Sequence, residues 1–297
     1  MIARESSRII RDTVNGAGFP APFADLVLVP LMQPGKILND PETTGWSKLV
    51  GASARAVGAS DFAAARVAAA IEVLAAALDV LDEIEDGDSS VLVDLTELPQ
   101  AINLSTTLLF LSQHILAELP GDGTVAGDIP AFATTVSRLG MAATVGQHRD
   151  LSISIGTTPS LAEAFEISQE KSGSLTACAC RLGALLGTRD AELLDMYESF
   201  GRSYGTMSQL SNDLHDAQNQ GTKSDLSLKK PTLPITFFRR GLDDDREGEL
   251  RADEIVDSGA LHFTWVVFER ERERCLGIVE KLASRGQDTV LLKSLID

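Results

Sequence analysis

From Phe62 to Leu78 the only charged residues are Arg66 and Glu72, set among alanines and larger apolar side chains, and the run then ends in acids: Asp79-Val-Leu-Asp82-Glu83-Ile-Glu85-Asp86-Gly-Asp88. An apolar stretch of this length, without the alternating Val/Ile/Thr pattern of a strand, predicts a helix over 60–86. The acids are misplaced for stability alone. A helix C-terminus already carries partial negative charge and favours Lys or Arg there. Asp79, Asp82 and Asp86 follow the spacing i, i+3, i+7, which puts three carboxylates on one stripe pointing past the end of an apolar helix. Hard divalent cations suit such a cluster.

Similar Ala/Leu-rich segments predict further helices over 45–57, 98–118, 130–154, 160–187, 190–219 and 247–285, with shorter ones near the N-terminus and around 231–240. Breaks are expected at Gly58 with Ser60 as a cap, at Gly87, at Pro120-Gly121, at Thr158-Pro159-Ser160, at Gly187 and across the polar stretch 218–223. The fold class is therefore all-α, a helical bundle. With 297 residues, 44% of them hydrophobic, and no Pro/Gly-rich linker, one domain over 1–297 is expected. The net charge of −17 makes nucleic acid and anionic membrane surfaces poor partners. The N-terminal segment has no apolar run long enough for a signal peptide or a membrane span, so no stable membrane anchoring and a cytoplasmic location are expected. Cys178, Cys180 and Cys275 have no neighbouring ligands in the sequence and are expected as small core residues.

A second acidic helix end follows far down the chain, Gln209-Leu-Ser-Asn212-Asp213-Leu-His215-Asp216, with Asn212 and Asp216 one turn apart. Oxygen ligands on two facing helix ends fit Mg2+, which keeps most of its water and binds through one or two carboxylates plus substrate phosphate. His148 and His215, inside these motif segments, are expected to face solvent or groups behind the metal ligands rather than act as bases.

These residues resemble the class I trans-isoprenyl diphosphate synthase and terpene synthase superfamily, polyprenyl synthetase-like, from about Gly45 to Pro234. Asp82-Glu-Ile-Glu-Asp86 is similar to its first aspartate-rich motif, with Glu83 for the second Asp. Asn212-Asp213-Leu-His-Asp216 is similar to the second motif, with Asn212 for the first Asp and Gln209 at the family's preceding glutamine. Between them, Gly146-Gln147-His-Arg-Asp150-Leu resembles a Gly-Gln-x-x-Asp segment, and Lys171-Ser-Gly-Ser-Leu resembles a Lys-Thr-Gly-x-Leu element whose lysine contacts diphosphate. Asp225 and Lys230 resemble the Asp and Lys that help close the site. The resemblance implies an isoprenoid synthase bundle around a central cavity. It implies three Mg2+ ions on Asp82, Glu83, Asp86, Asn212, Asp213 and Asp216, a prenyl diphosphate substrate, and a homodimer. Lys171, Gln209 and Lys230 are then the catalytic candidates, with Lys48, Gln147 and Tyr204 touching substrate.

Some positions depart from the pattern. Elongating members bind isopentenyl diphosphate in a separate basic pocket, whose signature is reduced here to Gly45-Trp46-Ser47-Lys48 with Arg55 nearby, while the Arg-Arg-Gly expected after Asp86 is neutral. A second diphosphate without partner cations is costly to bury. The leading expectation is an enzyme that ionises an allylic diphosphate and cyclises it or transfers the prenyl group to another acceptor. The alternatives are an ordinary elongating synthase whose pocket is assembled from Lys48, Arg55 and Arg149, and a noncatalytic subunit. On the helix of the first motif, Leu78, Ala75, Leu74 and Ile71 are expected to point down the cavity from Asp82, which suggests a C15 or C20 substrate.

Overall fold

Ser60 and Gly87 bound the long apolar helix, as their chemistry predicts. The computed structural model describes residues 1–42, 44–87, 91–119, 128–153, 158–218, 232–241 and 251–297. In it α4 (Asp61–Asp86) starts with the Ser60 hydroxyl accepting from the Ala63 amide and stops at Gly87, which takes the left-handed conformation, φ 71°, and donates back to Glu83 and Ile84. A helix apolar on all sides must be covered on all sides. The covering elements are α1 (Ile2–Gly16), α3 (Gly45–Ala56) and α6 (Leu98–Ala117), with α2 (Ala21–Leu28) and α5 (Val91–Leu95) filling in beside them. Alanine keeps α4 thin, and serines from the neighbours bond its carbonyls: Ser6 to Ala65, Ser112 to Ala70 and Ser105 to Ala77, each at 2.8 Å.

The second half is built from α7 (Ile129–Ile153), α8 (Leu161–Ser168), α9 (Ser174–Leu185), α10 (Ala191–Gln218), α11 (Leu233–Arg240), α12 (Ala252–Asp257), α13 (Ala260–Ser284) and α14 (Val290–Ser294). Helix α10 packs between α9 and α13, and α9 also lies on α3 and α7, so the two halves enclose a common interior. Among the described residues helices are the only regular elements, as the all-α expectation required.

Two predicted helices are interrupted. The helix foreseen over 247–285 breaks at Ser258-Gly259, because Gly259 takes φ 82° and starts a new helix there. The one foreseen over 160–187 runs without a break in the chain but widens into a π-turn over Gln169–Gly173. The three cysteines are buried in the core as expected, and burial raises their thiol pKa values to about 12.

One buried acid belongs to the scaffold. Glu72, 3% exposed in the middle of α4, accepts at Oε1 from Thr44 Oγ1 (2.5 Å), Ser47 N (3.0 Å) and Ser47 Oγ (2.8 Å), and so holds the first turn of α3. Burial raises its pKa, opposed by these hydrogen bonds and by the charge of Lys36. The folded chain therefore keeps this proton to higher pH than the unfolded chain, whose glutamates titrate near about 4.3. Stability should fall as pH rises from that value to the raised folded one, and then level off. Glu72→Gln, which keeps an acceptor and removes the charge, is expected to gain in Tm relative to wild type across that window. Thermal melts of both proteins from about pH 4 to about pH 8 check this, and a constant difference would refute it.

Candidate active site

The acid end of α4 and the acid end of α10 come together, as their matching positions in the sequence suggested. Asp82 and Asn212 both line a cavity of about 550 Å³, and the same two residues line a second one of about 310 Å³ on the other side of Lys171. Asp213 and Asp216 line the smaller cavity, beside Asp150 from α7. Glu83 and Asp86, half-buried on the last turn of α4, line neither, although the charge of Asp86 is felt by Lys171. Asp213 is 2% exposed and accepts from Gln209 Nε2 at 2.8 Å.

Lys171 stands between the acids. Its Nζ lies 2.8 Å from Asp82 Oδ1 and 3.2 Å from Asp150 Oδ2. Burial would lower its pKa, but the carboxylates of Asp82, Asp150 and Asp86 outweigh burial and hold it above the ordinary lysine value. The π-turn carries this side chain, and turns of that kind recur at functional sites. It is gripped from two sides by glycine contacts. A Cβ on Gly146 of α7 would sit 2.5 Å from the Lys171 amide nitrogen, and one on Gly205 of α10 would meet Ser172 O at 2.8 Å. A chain of bonds completes the grip: Ser172 Oγ donates to Gln209 Oε1 at 2.8 Å, and Gln209 passes on to Asp213. Both ends of the Gln209 amide are thereby engaged, which makes this residue a brace for the π-turn as well as part of the wall.

The larger cavity is polar at one set of walls and apolar at another. Gln147 donates to Glu85 Oε2 at 3.0 Å, while its amide oxygen is buried without a hydrogen-bond partner. A buried acceptor left open on a cavity wall suits a site where a ligand completes it. Tyr204 lines the cavity, stacked on Phe200 with ring centroids 6.1 Å apart, and burial raises its pKa against a hydrogen bond to Ser208. Leu78 lines the cavity; Leu74, Ala75 and Ile71, expected on the same wall, do not. All three are buried in the packed core, and the apolar lining runs from Leu78 and Leu81 to Trp46 and Leu49 of α3 and to Leu151 and Leu175.

Lys171 is the one lysine or arginine that lines either cavity among the described residues. Lys48 is exposed on α3 and lines neither, because the turn is set by Ser47 facing Glu72, which leaves the next residue outside. Arg55 is held by Asp61 through two bonds of 2.8 Å, and Arg149 by Glu170 and Glu166 at 2.9 and 3.2 Å. A cation missed in the sequence is Lys36, whose Nζ lies 2.5 Å from Asp79 Oδ2 at the cavity edge. Asp225 and Lys230 lie outside the described residues. His148 lines the larger cavity and His215 the smaller one.

The oxygen donors fit Mg2+ in kind. Among the described residues no three Asp, Glu, His or Cys side chains cluster closely enough to hold a metal ion by themselves. No helix among the described residues is long and apolar enough to cross a membrane.

The polyprenyl synthetase family model matches residues 46–257. The tryptophan prenyltransferase ComQ of Bacillus subtilis (strain 168) is 23% identical over 252 residues, 78% of this chain and 80% of that protein. ComQ of Bacillus spizizenii is 28% identical over 186 residues, so that the match spans 62% of each chain. The structure of a polyprenyl synthetase from Streptomyces coelicolor A3(2) matches with a TM-score of 0.82 at 20% identity, covering 100% of this chain and 96% of that one, a likeness of fold.

Proposed function

Because the chain belongs to the polyprenyl synthetase family, we propose that it is a Mg2+-dependent enzyme that ionises an allylic prenyl diphosphate of C15 or C20 and transfers the prenyl group to an acceptor other than isopentenyl diphosphate. The observation that carries this reading is the single cation, Lys171, on the walls of both cavities among the described residues. One diphosphate can be met by Lys171 together with metal; a second, without cations of its own, would be costly to bury. Indole is the acceptor to test first, since the ComQ relatives are named for tryptophan.

Asp82, Asp86, Asn212 and Asp216 would hold the metal, three ions when diphosphate is bound, and these would neutralise the charge that grows on the leaving group. The chain's own part is to place Lys171 against the same phosphates and to keep water from the apolar wall where the cation forms. The allylic C–O bond breaks, a bond from the acceptor to the prenyl carbon forms, and the acceptor's proton leaves, with released diphosphate as the base at hand.

The test is to supply Mg2+ and C10, C15 or C20 diphosphates with tryptophan or N-acetyltryptophan amide, with isopentenyl diphosphate, or with neither. Diphosphate release with prenylated indole, lost in Asp82→Ala and Asn212→Ala, is the expected result. Hydrocarbon or alcohol without acceptor would mean cyclisation or hydrolysis instead. Longer diphosphates with isopentenyl diphosphate would overturn the argument from cations.

A further inference from the structure

Helix α3 gives the larger cavity three residues, Gly45, Trp46 and Leu49, none of them charged. Trp46 is half-buried against the core and, with Tyr204, is the aromatic part of the cavity wall among the described residues, His148 aside. Two groups determine where it stands. Thr44 and Ser47, which flank Gly45 and Trp46 in sequence, are 2% and 3% exposed, and both are tied to the same Oε1 of Glu72. The Ser47 amide is the third donor on that oxygen. A carboxylate from α4 thus does the work of an N-cap for α3, satisfying a free amide of its first turn from outside the helix. Any change in the length of that acid would move the turn that carries Trp46.

We propose that Trp46 is a substrate-contacting residue that sets the preferred length of the hydrocarbon chain, and that Glu72 is its positioning residue, acting through the first turn of α3. The proposal rests on the prenyl diphosphate reading of the cavity. Its physical content is simple. The charged groups of the cavity come from α4, α7 and the π-turn and none from α3, which places a hydrocarbon tail along the apolar lining where Trp46 and Leu49 meet Leu78, beside Leu81, Leu151 and Leu175. An indole is the largest group on that wall, and shortening it opens room for further carbon.

The experiment uses the full chain in a Trp265→Phe background, which leaves Trp46 as the sole tryptophan. Farnesyl thiolodiphosphate, which cannot ionise readily, and inorganic diphosphate are each titrated with Mg2+ while indole emission and binding heat are recorded. The farnesyl analogue is expected to shift Trp46 emission and inorganic diphosphate to leave it unchanged. Glu72→Gln should keep the shift. Glu72→Ala should lose it and raise KM for the prenyl diphosphate with kcat little changed; Glu72→Asp, whose carboxylate falls one methylene short, serves if the alanine variant does not fold. Trp46→Ala should move the ratio of kcat/KM for C20 over C15 upward by about tenfold or more, the effect of altered room in an apolar pocket. Binding heat without an emission change, or an unaltered length preference in Trp46→Ala, would overturn the proposal alone. Inorganic diphosphate binding while the farnesyl analogue does not bind would overturn the prenyl reading, and the proposal with it.

Discussion

Lys171→Ala should lower the rate of Mg2+-dependent diphosphate release by about a hundred- to a thousand-fold, the usual loss when one preorganised donor to a developing anion is removed. The size of the effect follows from the lack of a substitute among the described residues. Among the described residues no other lysine or arginine lines either cavity. The same substitution should act in the opposite direction on metal binding without substrate. The ammonium lies 2.8 Å from Asp82 and 3.2 Å from Asp150, where it competes with any divalent ion for those oxygens. Its removal takes that competing ammonium away from both carboxylates, and Mg2+ should bind more tightly. Titration calorimetry of Mg2+ beside single-turnover kinetics separates the two. Weaker Mg2+ binding in Lys171→Ala would mean that the lysine supports the metal site instead of competing with it.

The second large effect needs no change of charge. Gly146→Ala places a methyl group 2.5 Å from the Lys171 nitrogen and 2.8 Å from the Glu170 carbonyl carbon. Backbone cannot swing aside as a side chain can, so α7 and the π-turn must separate, at about 1–3 kcal/mol of overpacking. The displacement falls on Lys171, and a misplacement of about 1 Å in a catalytic group can cost about a hundredfold in rate. Gly140→Ala is the control on the same helix, because a Cβ there meets nothing within 4 Å. It should leave activity intact and raise stability by about 0.5–1 kcal/mol, the ordinary gain of alanine over glycine in a helix. Equal melting temperatures and equal activities for the two variants would remove the close contact from the explanation of the site.

Much of the fold was legible because local chemistry decided it. The run from Phe62 to Leu78 can hide only as a covered helix, and Ser60 and Gly87 mark its ends by hydrogen bonds that any helix needs. The break at Gly259 was missed, since a lone Ser-Gly inside a charged, periodic stretch carries little signal until its φ is known to be positive. The family and the meeting of the two acid ends were also legible, from motifs in a fixed order. The floor of the cavity was not. Counting back along one helix from Asp82 reaches Leu78, on the cavity, and then Ala75 and Leu74, which are off it, because which wall closes a cavity depends on a second helix, here the turn with Trp46 and Leu49. Lys36 was missed for the same reason: its partner Asp79 is 43 residues away, and no local pattern joins them.

The π-turn at Gln169–Gly173 is one residue more than an α-helix needs for the same length. Deleting Gln169 or Glu170 would let Leu161–Leu185 run as an unbroken α-helix, with a more regular ladder than it has now. Each residue turns such a helix by about 100°, so everything on the N-terminal side would be rotated by that amount against α7, and a lysine would no longer stand between Asp82 and Asp150. A shortened chain of this kind would keep every motif and every functional residue type and still be inert. Whether a relative keeps this chemistry is therefore a question about insertions and deletions in five residues as much as about which amino acids it carries.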